Sequence, residues 1–333
     1  MATNRSTCYA AVFCLAGILV HPELAAQSSD NDSSSELLRR IRAAWESRAA
    51  RIVSLDQTTH IRTELDRGPS GNPANKLFYS AAIKTAEPLY ETAVYAFQDD
   101  ARSIYWRRNA GFQPNGELID VKSRAAACNG MSYGDYLEDS GLILGSLRDS
   151  IPEPSLINSH NVITTTTLWT DTAAELARSG MLLDRMTIMP ETSNRNVVRL
   201  GLHPAIGRSR VEVDVDPERD FIVLALRHYF GKRLSMEVEL KYRKDQTQGT
   251  ILKGWTKKLY KKNAITKSVH RATVTQCALN QNLDPSRFEI DFPEGTQVRV
   301  FRGEELEMEF LVQDGKMLPS HGPESTPSTG ELY

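Results

Sequence analysis

Three stretches in the last hundred residues alternate between apolar and polar side chains. Leu234, Met236, Val238, Leu240 and Tyr242 take every second position, with Arg233, Ser235, Glu237, Glu239, Lys241 and Arg243 between and around them. The pattern returns at Leu306, Met308, Phe310 and Val312 around Glu305, Glu307 and Glu309. It appears again at Phe288, Ile290 and Phe292 around Glu289 and Asp291. A period of two marks a strand with one dry face and one wet face. Several such strands in succession predict an antiparallel sheet whose apolar face must be covered. Helices of the same chain or a greasy ligand can cover it.

The residues before the strands supply a candidate cover. Ser33 and Glu36 have the spacing of a capping box, which sets a helix start near Ser34. Leu37, Leu38, Ile41, Trp45 and Ala49 then recur at helical spacing, with Arg39, Arg40, Arg42, Glu46 and Arg48 on the other side. Alternation over residues 53–65 predicts a first strand, and weaker patterns place others at 76–83, 89–97, 103–107 and 116–124. A Pro-Ser-Gly-Asn-Pro turn falls at residues 69–73. Residues 125–201 read as an insertion with one helix, from Thr172 and Glu175 to a stop at Gly180. Strands dominate again from Val211: residues 211–215, 221–228, 234–242, 250–260, 269–279 and the Phe288 stretch. The expected class is α+β, mainly antiparallel β. A curved, unclosed barrel with helices filling its concave side would occupy residues 36–318.

The ends of the chain have a different composition. Arg5 precedes the short apolar run Tyr9 to Val20, with Pro22 and a small-residue Leu24-Ala25-Ala26 site behind it. That pattern predicts a secretory signal over residues 1–26 and export to the periplasm or beyond. Cys14 lies inside the apolar run and follows Phe13, which does not suit a lipid-anchoring box. Residues 27–35 read as a flexible polar leader, and the Pro/Ser/Thr-rich residues 319–333 as a disordered tail. Loss of the signal leaves Cys128 and Cys277, which in an oxidising compartment either bridge or remain two buried thiols.

Composition narrows the function. A net charge of −2 gives no field for nucleic acid. The scattered histidines lack metal-ligand spacing, so no metal or cofactor is expected. Asp214, Asp216, Glu218 and Asp220 surround Pro217 without the Gly and distal Glu of a calcium loop, so a solvated hairpin turn is expected. Gly130-Met131-Ser132-Tyr133-Gly134 matches G-x-S-x-G, the nucleophile elbow of secreted serine hydrolases. An elbow needs a buried strand before it and a helix after it, whereas small and charged residues flank this one. A turn between strands is the plainer reading, with a hydrolase using Ser132 as the alternative. Lys257, Lys258, Lys261 and Lys262 interleave with Trp255, Leu259 and Tyr260. They suit either a membrane surface or, more simply, the guarding of an edge strand. Met181, Met186 and Met189 suit a lid over a greasy pocket or plain packing under a loop.

Two segments carry a family resemblance. Residues 41–55, IRAAWESRAARIVSL, and residues 288–298, FEIDFPEGTQV, resemble the exported lipoprotein-localisation-factor (LolA/LolB-like) superfamily, and VEVDVDPERDF over 211–221 fits its mid-sheet hairpin. The resemblance implies a strongly curved antiparallel sheet, helices plugging its open side, and an interior for acyl chains or envelope proteins. It also implies that FEIDF is a closing strand, followed by a Pro-Glu-Gly-Thr turn and a final strand. The expected function is non-catalytic binding of an apolar ligand or envelope-protein partner, with a purely structural envelope component as a further alternative. Met236, Val238, Leu240, Phe310 and Val312 are expected to face the concavity, opposite Leu38 and Trp45.

Overall fold

The computed structural model describes residues 28–65, 88–98, 103–112, 119–139, 142–149, 161–178, 185–189, 196–202, 209–261 and 266–320. The signal segment, the turn at 69–73, the strand expected at 76–83, Gly180, Met181, Lys262 and the tail from residue 321 lie outside these.

Helix α1 runs Ser28–Arg51 and leads into β1, Ser54–Leu65. It begins before the expected start and takes in most of the segment read as a flexible leader. Four strands follow: β2 (Leu89–Gln98), β3 (Ser103–Phe112), β4 (Ile119–Asn129) and β5 (Tyr133–Asp139). Strand β6 (Leu142–Arg148) precedes helices α2 (Asn161–Thr170) and α3 (Thr172–Arg178). Then come β7 (Thr187–Ile188), β8 (Val198–Leu202), β9 (Ser209–Asp216), β10 (Ile222–Phe230) and β11 (Arg233–Asp245). The chain continues through β12 (Gly249–Tyr260), β13 (Thr266–Leu279), β14 (Gln297–Arg302), β15 (Glu305–Gln313) and β16 (Lys316–Pro319). Residues 125–201 therefore supply strands and both short helices to the common fold.

Among the described residues, sixteen strands form one sheet in the order β16-β15-β14-β6-β5-β4-β3-β2-β1-β13-β12-β11-β10-β9-β8-β7, with β16 and β7 as its two ends. Every pairing is antiparallel except that of β14 with β6. The sheet is strongly curved, because α2 touches β2, β12 and β10 together. Strands β2 and β10 are five positions apart, about 24 Å in a flat sheet, while α2, with 10 residues, is only about 15 Å long. The sheet must wrap around α2 for both contacts to exist.

Strand register fixes which side chains share a face. Leu55, Phe97, Ile104, Cys128 and Tyr133 form one row across β1 to β5 and belong to the core under the helices. The adjacent positions face outward on the convex side.

Phe288, Ile290 and Phe292 correct the sequence reading. They form no strand: residues 285–288 make a single 3-10 turn, and the chain from residue 280 to 296 crosses the convex face as a strap. Arg287 donates to Asp56 at 2.9 Å and stacks over Tyr105, while Leu283 N donates to Gln98 Oε1. The strap explains the parallel pairing, since a crossover from β13 to β14 delivers the chain in the same direction as β6. Its apolar residues still point one way, but into the face of the sheet. The surface beneath is cut to receive them. A Cβ on Gly134 would lie 2.5 Å from Ile290 Cγ2, and one on Gly145 would lie 2.6 Å from the Phe292 ring. Ala125 and Ala127 are buried on the same side, and Phe288 is buried above them. The Pro-Glu-Gly-Thr turn forms as expected, with Thr296 N donating to Pro293 O and Gly295 at φ 80°.

Candidate binding hollow

The concave side of β1–β3 and β8–β13 is lined by Leu55, Ile61, Tyr95, Phe97, Trp106, Leu200, Val213, Leu240 and Trp255, all buried. Helix α1 lays Ile41 and Trp45 into this bowl, and α2 and α3 add Leu168, Trp169 and Leu176. Trp45, Trp169 and Trp255 are each fully buried, so three indoles belong to this core. This is the helix-filled concavity expected from the sequence.

Two residues with positive φ anchor α1 at one rim. Asp220 and Phe221 close the β9–β10 turn at φ 55° and 51°. Such backbone costs a non-glycine residue about 1 kcal/mol or more. It is offset by what the two carbonyls accept: Trp45 Nε1 donates to Phe221 O at 2.8 Å, and Arg48 Nη2 donates to Asp220 O. Arg48 Nη1 also donates to Trp169 O at 3.3 Å, which ties α1 to α2. Tyr242 donates to Val223 O at 2.6 Å, and burial raises its hydroxyl above the usual tyrosine range.

Helix α2 is the least expected occupant. Its sequence, NVITTTTLWT, places four consecutive threonines in a helix, although β-branched residues lose side-chain freedom there. Thr165, Thr166 and Thr167 are buried. Gln57, near the start of β1 and on its inner face, donates to Thr166 Oγ1 at 3.1 Å and to Thr59 Oγ1 at 3.0 Å. Among the described residues, Gln57 Oε1 and Trp255 Nε1 are buried without a hydrogen-bond partner. Each costs about 1–3 kcal/mol. The plug is thus joined to the bowl by imperfectly satisfied polar contacts. Gln57 stood in the alternating first strand where an apolar residue was due, and that was the available signal.

One end of the bowl is polar. Val238, Lys257, His270 and Thr63 share a row, and Thr63 Oγ1 lies 2.9 Å from His270 Nδ1. Lys257 points inward, on the same face as Trp255. Burial lowers its pKa, and the carboxylate of Glu175 on α3 opposes that shift. Glu91 and Arg108 pair at 2.9 Å nearby.

The residues expected to line the concavity divide between two faces. Trp45, Val238 and Leu240 lie in the bowl, with Leu38 and Met236 packed at its margin. Phe310 and Val312 do not. Phe310 pairs with Val298, Val298 with Gly145, and Gly145 touches the strap, so both side chains lie on the convex face. Period-two patterning shows that a strand has a dry face but not which side of the sheet that face joins.

The lysine cluster also needs correcting. Strand β12 lies between β11 and β13, so it is no edge to guard. Lys257 faces inward, and Lys258 pairs with Glu237 and Glu239 at 3.4 and 3.3 Å. Lys261 is half-buried. Cys128 and Cys277 form no disulfide. Their strands are separated by three others, on the order of 19 Å along the sheet, and a bridge needs Cα atoms within about 7 Å. Burial pushes the Cys277 thiol up to about 11. Ser132 sits on the β4–β5 turn, where its N–H and its hydroxyl both contact Asn129 Oδ1, at 2.9 and 3.2 Å. A strand follows it where an elbow requires a helix. Met186 is buried in the core, which fits the packing reading of that methionine.

Among the described residues no helix is long and apolar enough to cross a membrane, and no group of three or more acidic, His or Cys side chains could hold a metal ion. No protein-family model matches the chain, and no curated protein matches it. Solved structures do. An outer membrane lipoprotein-sorting protein domain from Vibrio parahaemolyticus aligns at 8% identity and a TM-score of 0.40, over 74% of this chain and 94% of that one. A DUF1329 family protein from Desulfovibrio piger aligns at 12% identity and 0.41, over 75% and 97%. A LolA superfamily protein from Nitrosomonas europaea aligns at 11% identity and 0.37, over 75% and 97%. These are loose likenesses, and the fold rests on the strand pairing above.

Proposed function

We propose that this chain is an exported, non-catalytic binding protein whose curved sheet accommodates an apolar ligand, with α2 and α3 as the plug that yields to it. The observation that carries this reading is the plug itself. A threonine-rich helix of weak intrinsic propensity lies at the centre of an apolar bowl, joined to β1 through Gln57 and Thr166. A core selected for stability alone would place leucine and alanine there. The tryptophans supply apolar surface for a ligand's chain, and the polar end at Lys257, His270 and Thr63 supplies hydrogen bonds for a head group. Export follows from the signal-like residues 1–26. An envelope protein that presents an apolar segment would meet the same surface.

The test is extraction of the exported, purified protein with organic solvent, followed by mass spectrometry. About one apolar molecule per chain is expected. An empty extract, combined with failure to take up a fluorescent acyl probe, would contradict the proposal. Labelling by an active-site serine reagent that disappears in Ser132→Ala would overturn its non-catalytic part.

A further inference from the structure

A second cavity lies outside the bowl, at the rim where the last turn of α1 meets the β9–β10 and β11–β12 turns. It is a cleft of about 660 Å³. Five cationic side chains line it, Arg48, Arg51, Arg219, Arg243 and Lys244, against the two carboxylates of Glu218 and Asp220. We propose that this cleft is an anion-binding site that takes a phosphate group.

Arg48 forms its floor. Arg48 is only 5% exposed, yet its hydrogen bonds go to two main-chain carbonyls, those of Trp169 and Asp220. A guanidinium this buried, held by carbonyl dipoles with no carboxylate in hydrogen-bond contact, is costly unless an anion approaches. Burial lowers the pKa of Arg48; Tyr242 and the Asp220 carboxylate oppose that shift in part, and the nearby Arg51 adds repulsion. Neither carboxylate of the cleft makes an ion pair with Arg48 among the described residues. The Asp220 carboxylate is taken by Arg51 at 2.8 Å, and Arg219 is held by Asp216 at 2.6 Å. Arg243 and Lys244 are exposed on the rim and make no ion pair among the described residues. Asp245 beside them is occupied by the N–H groups of Thr247 and Gln248. A phosphate group, as a free anion or a diester, could meet the floor guanidinium and the rim cations together, as planar Arg forks suit phosphate.

The cleft is distinct from the bowl, although Trp169 and Arg48 border both. The site therefore goes beyond the apolar-ligand reading and stands or falls separately.

Phosphate has two sources here, a soluble phosphate compound or the head group of an anionic lipid. Calorimetric titration of the full mature chain with inorganic phosphate, and flotation with phosphatidylglycerol or phosphatidylcholine vesicles, separate them. Saturable phosphate binding without vesicle binding supports a soluble ligand. Flotation with phosphatidylglycerol but not phosphatidylcholine supports a head group. In both cases the double variant Arg243→Glu/Lys244→Glu, on exposed positions that leave the fold intact, should weaken binding about tenfold or more. Arg48→Lys, checked by circular dichroism for folding, should weaken it as well. No heat with inorganic phosphate up to about 10 mM and no flotation would overturn the proposal. Binding unchanged in the double variant would overturn it equally.

Discussion

The two wings of the sheet protect their convex faces by opposite means. Across β8 to β12, a ladder of alternating charge runs from strand to strand: Arg199, Asp214, Arg227, Glu237 and Lys258. Arg199 and Arg227 both donate to Asp214, at 2.5 and 2.8 Å, Arg227 reaches Glu237 at 3.0 Å, and Lys258 follows. Across β4 to β6 and β14 to β15, the cover is an apolar strap pressed onto alanines and glycines. The concave sides differ as well. The ladder wing is filled by helices and three tryptophans. The strap wing leaves Leu137 and Leu144, neighbours in one row, about half exposed. A single sheet thus carries one wing with a helical interior and a polar exterior, and another with the polarity closer to reversed. Burial on each wing follows the side where the chain supplies a cover.

The largest test of this contrast lies in the helical wing. Trp45→Ala removes a fully buried indole and the anchor to Phe221 O, and should cost about 4 kcal/mol, read by urea unfolding. In the strap wing, Phe288→Ala should cost about 3 kcal/mol, with proteolysis appearing first between residues 284 and 296. Gly145→Ala should cost about 1–3 kcal/mol, because the new methyl meets the Phe292 ring and strains the strap. If either strap variant opened the helical wing to hydrogen exchange first, the division into wings would be wrong.

The ladder predicts a pH effect. Burial alone would raise Asp214, but hydrogen bonds from Arg199 and Arg227 outweigh it and hold the carboxyl below its usual range. A carboxylate depressed in the folded state contributes stability that is complete above its unfolded pKa, about 4. That contribution is lost as pH falls through the folded value. Wild type should lose stability below about pH 4 more steeply than Asp214→Asn, as followed by thermal melts. Lys258→Ala, at the partly exposed end of the ladder, should change stability by less than about 1 kcal/mol.

How much of this was legible in the sequence depended on what each strand pairs with. Strands whose partners follow closely, such as β9 to β13, declared themselves by alternation and turns. The strap carries the same alternation because it too lies on a flat apolar surface. Only the glycines and alanines beneath it, far away in sequence, distinguish docking from pairing. Helix α2 was hidden by its threonines, whose local preference is extended, and it is helical because the bowl leaves no free strand edge at its centre. Strands β5 and β6 contain Gly134 and Gly145, which weaken a strand pattern and are needed under the strap. The cationic cleft joins α1 to turns about 170 and 200 residues away, a proximity no local pattern encodes.

The central claim is that α2 must leave the bowl before an apolar ligand can enter. Gln57 and Thr166 face each other across that boundary, with Nε2 3.1 Å from Oγ1. In a Cys128→Ala/Cys277→Ser background, Gln57→Cys and Thr166→Cys can be joined by a short thiol cross-linker, and uptake of a fluorescent acyl probe measured before and after. Saturable uptake that the cross-link abolishes is the predicted result. Equal uptake by the cross-linked protein would place the ligand elsewhere and contradict the account.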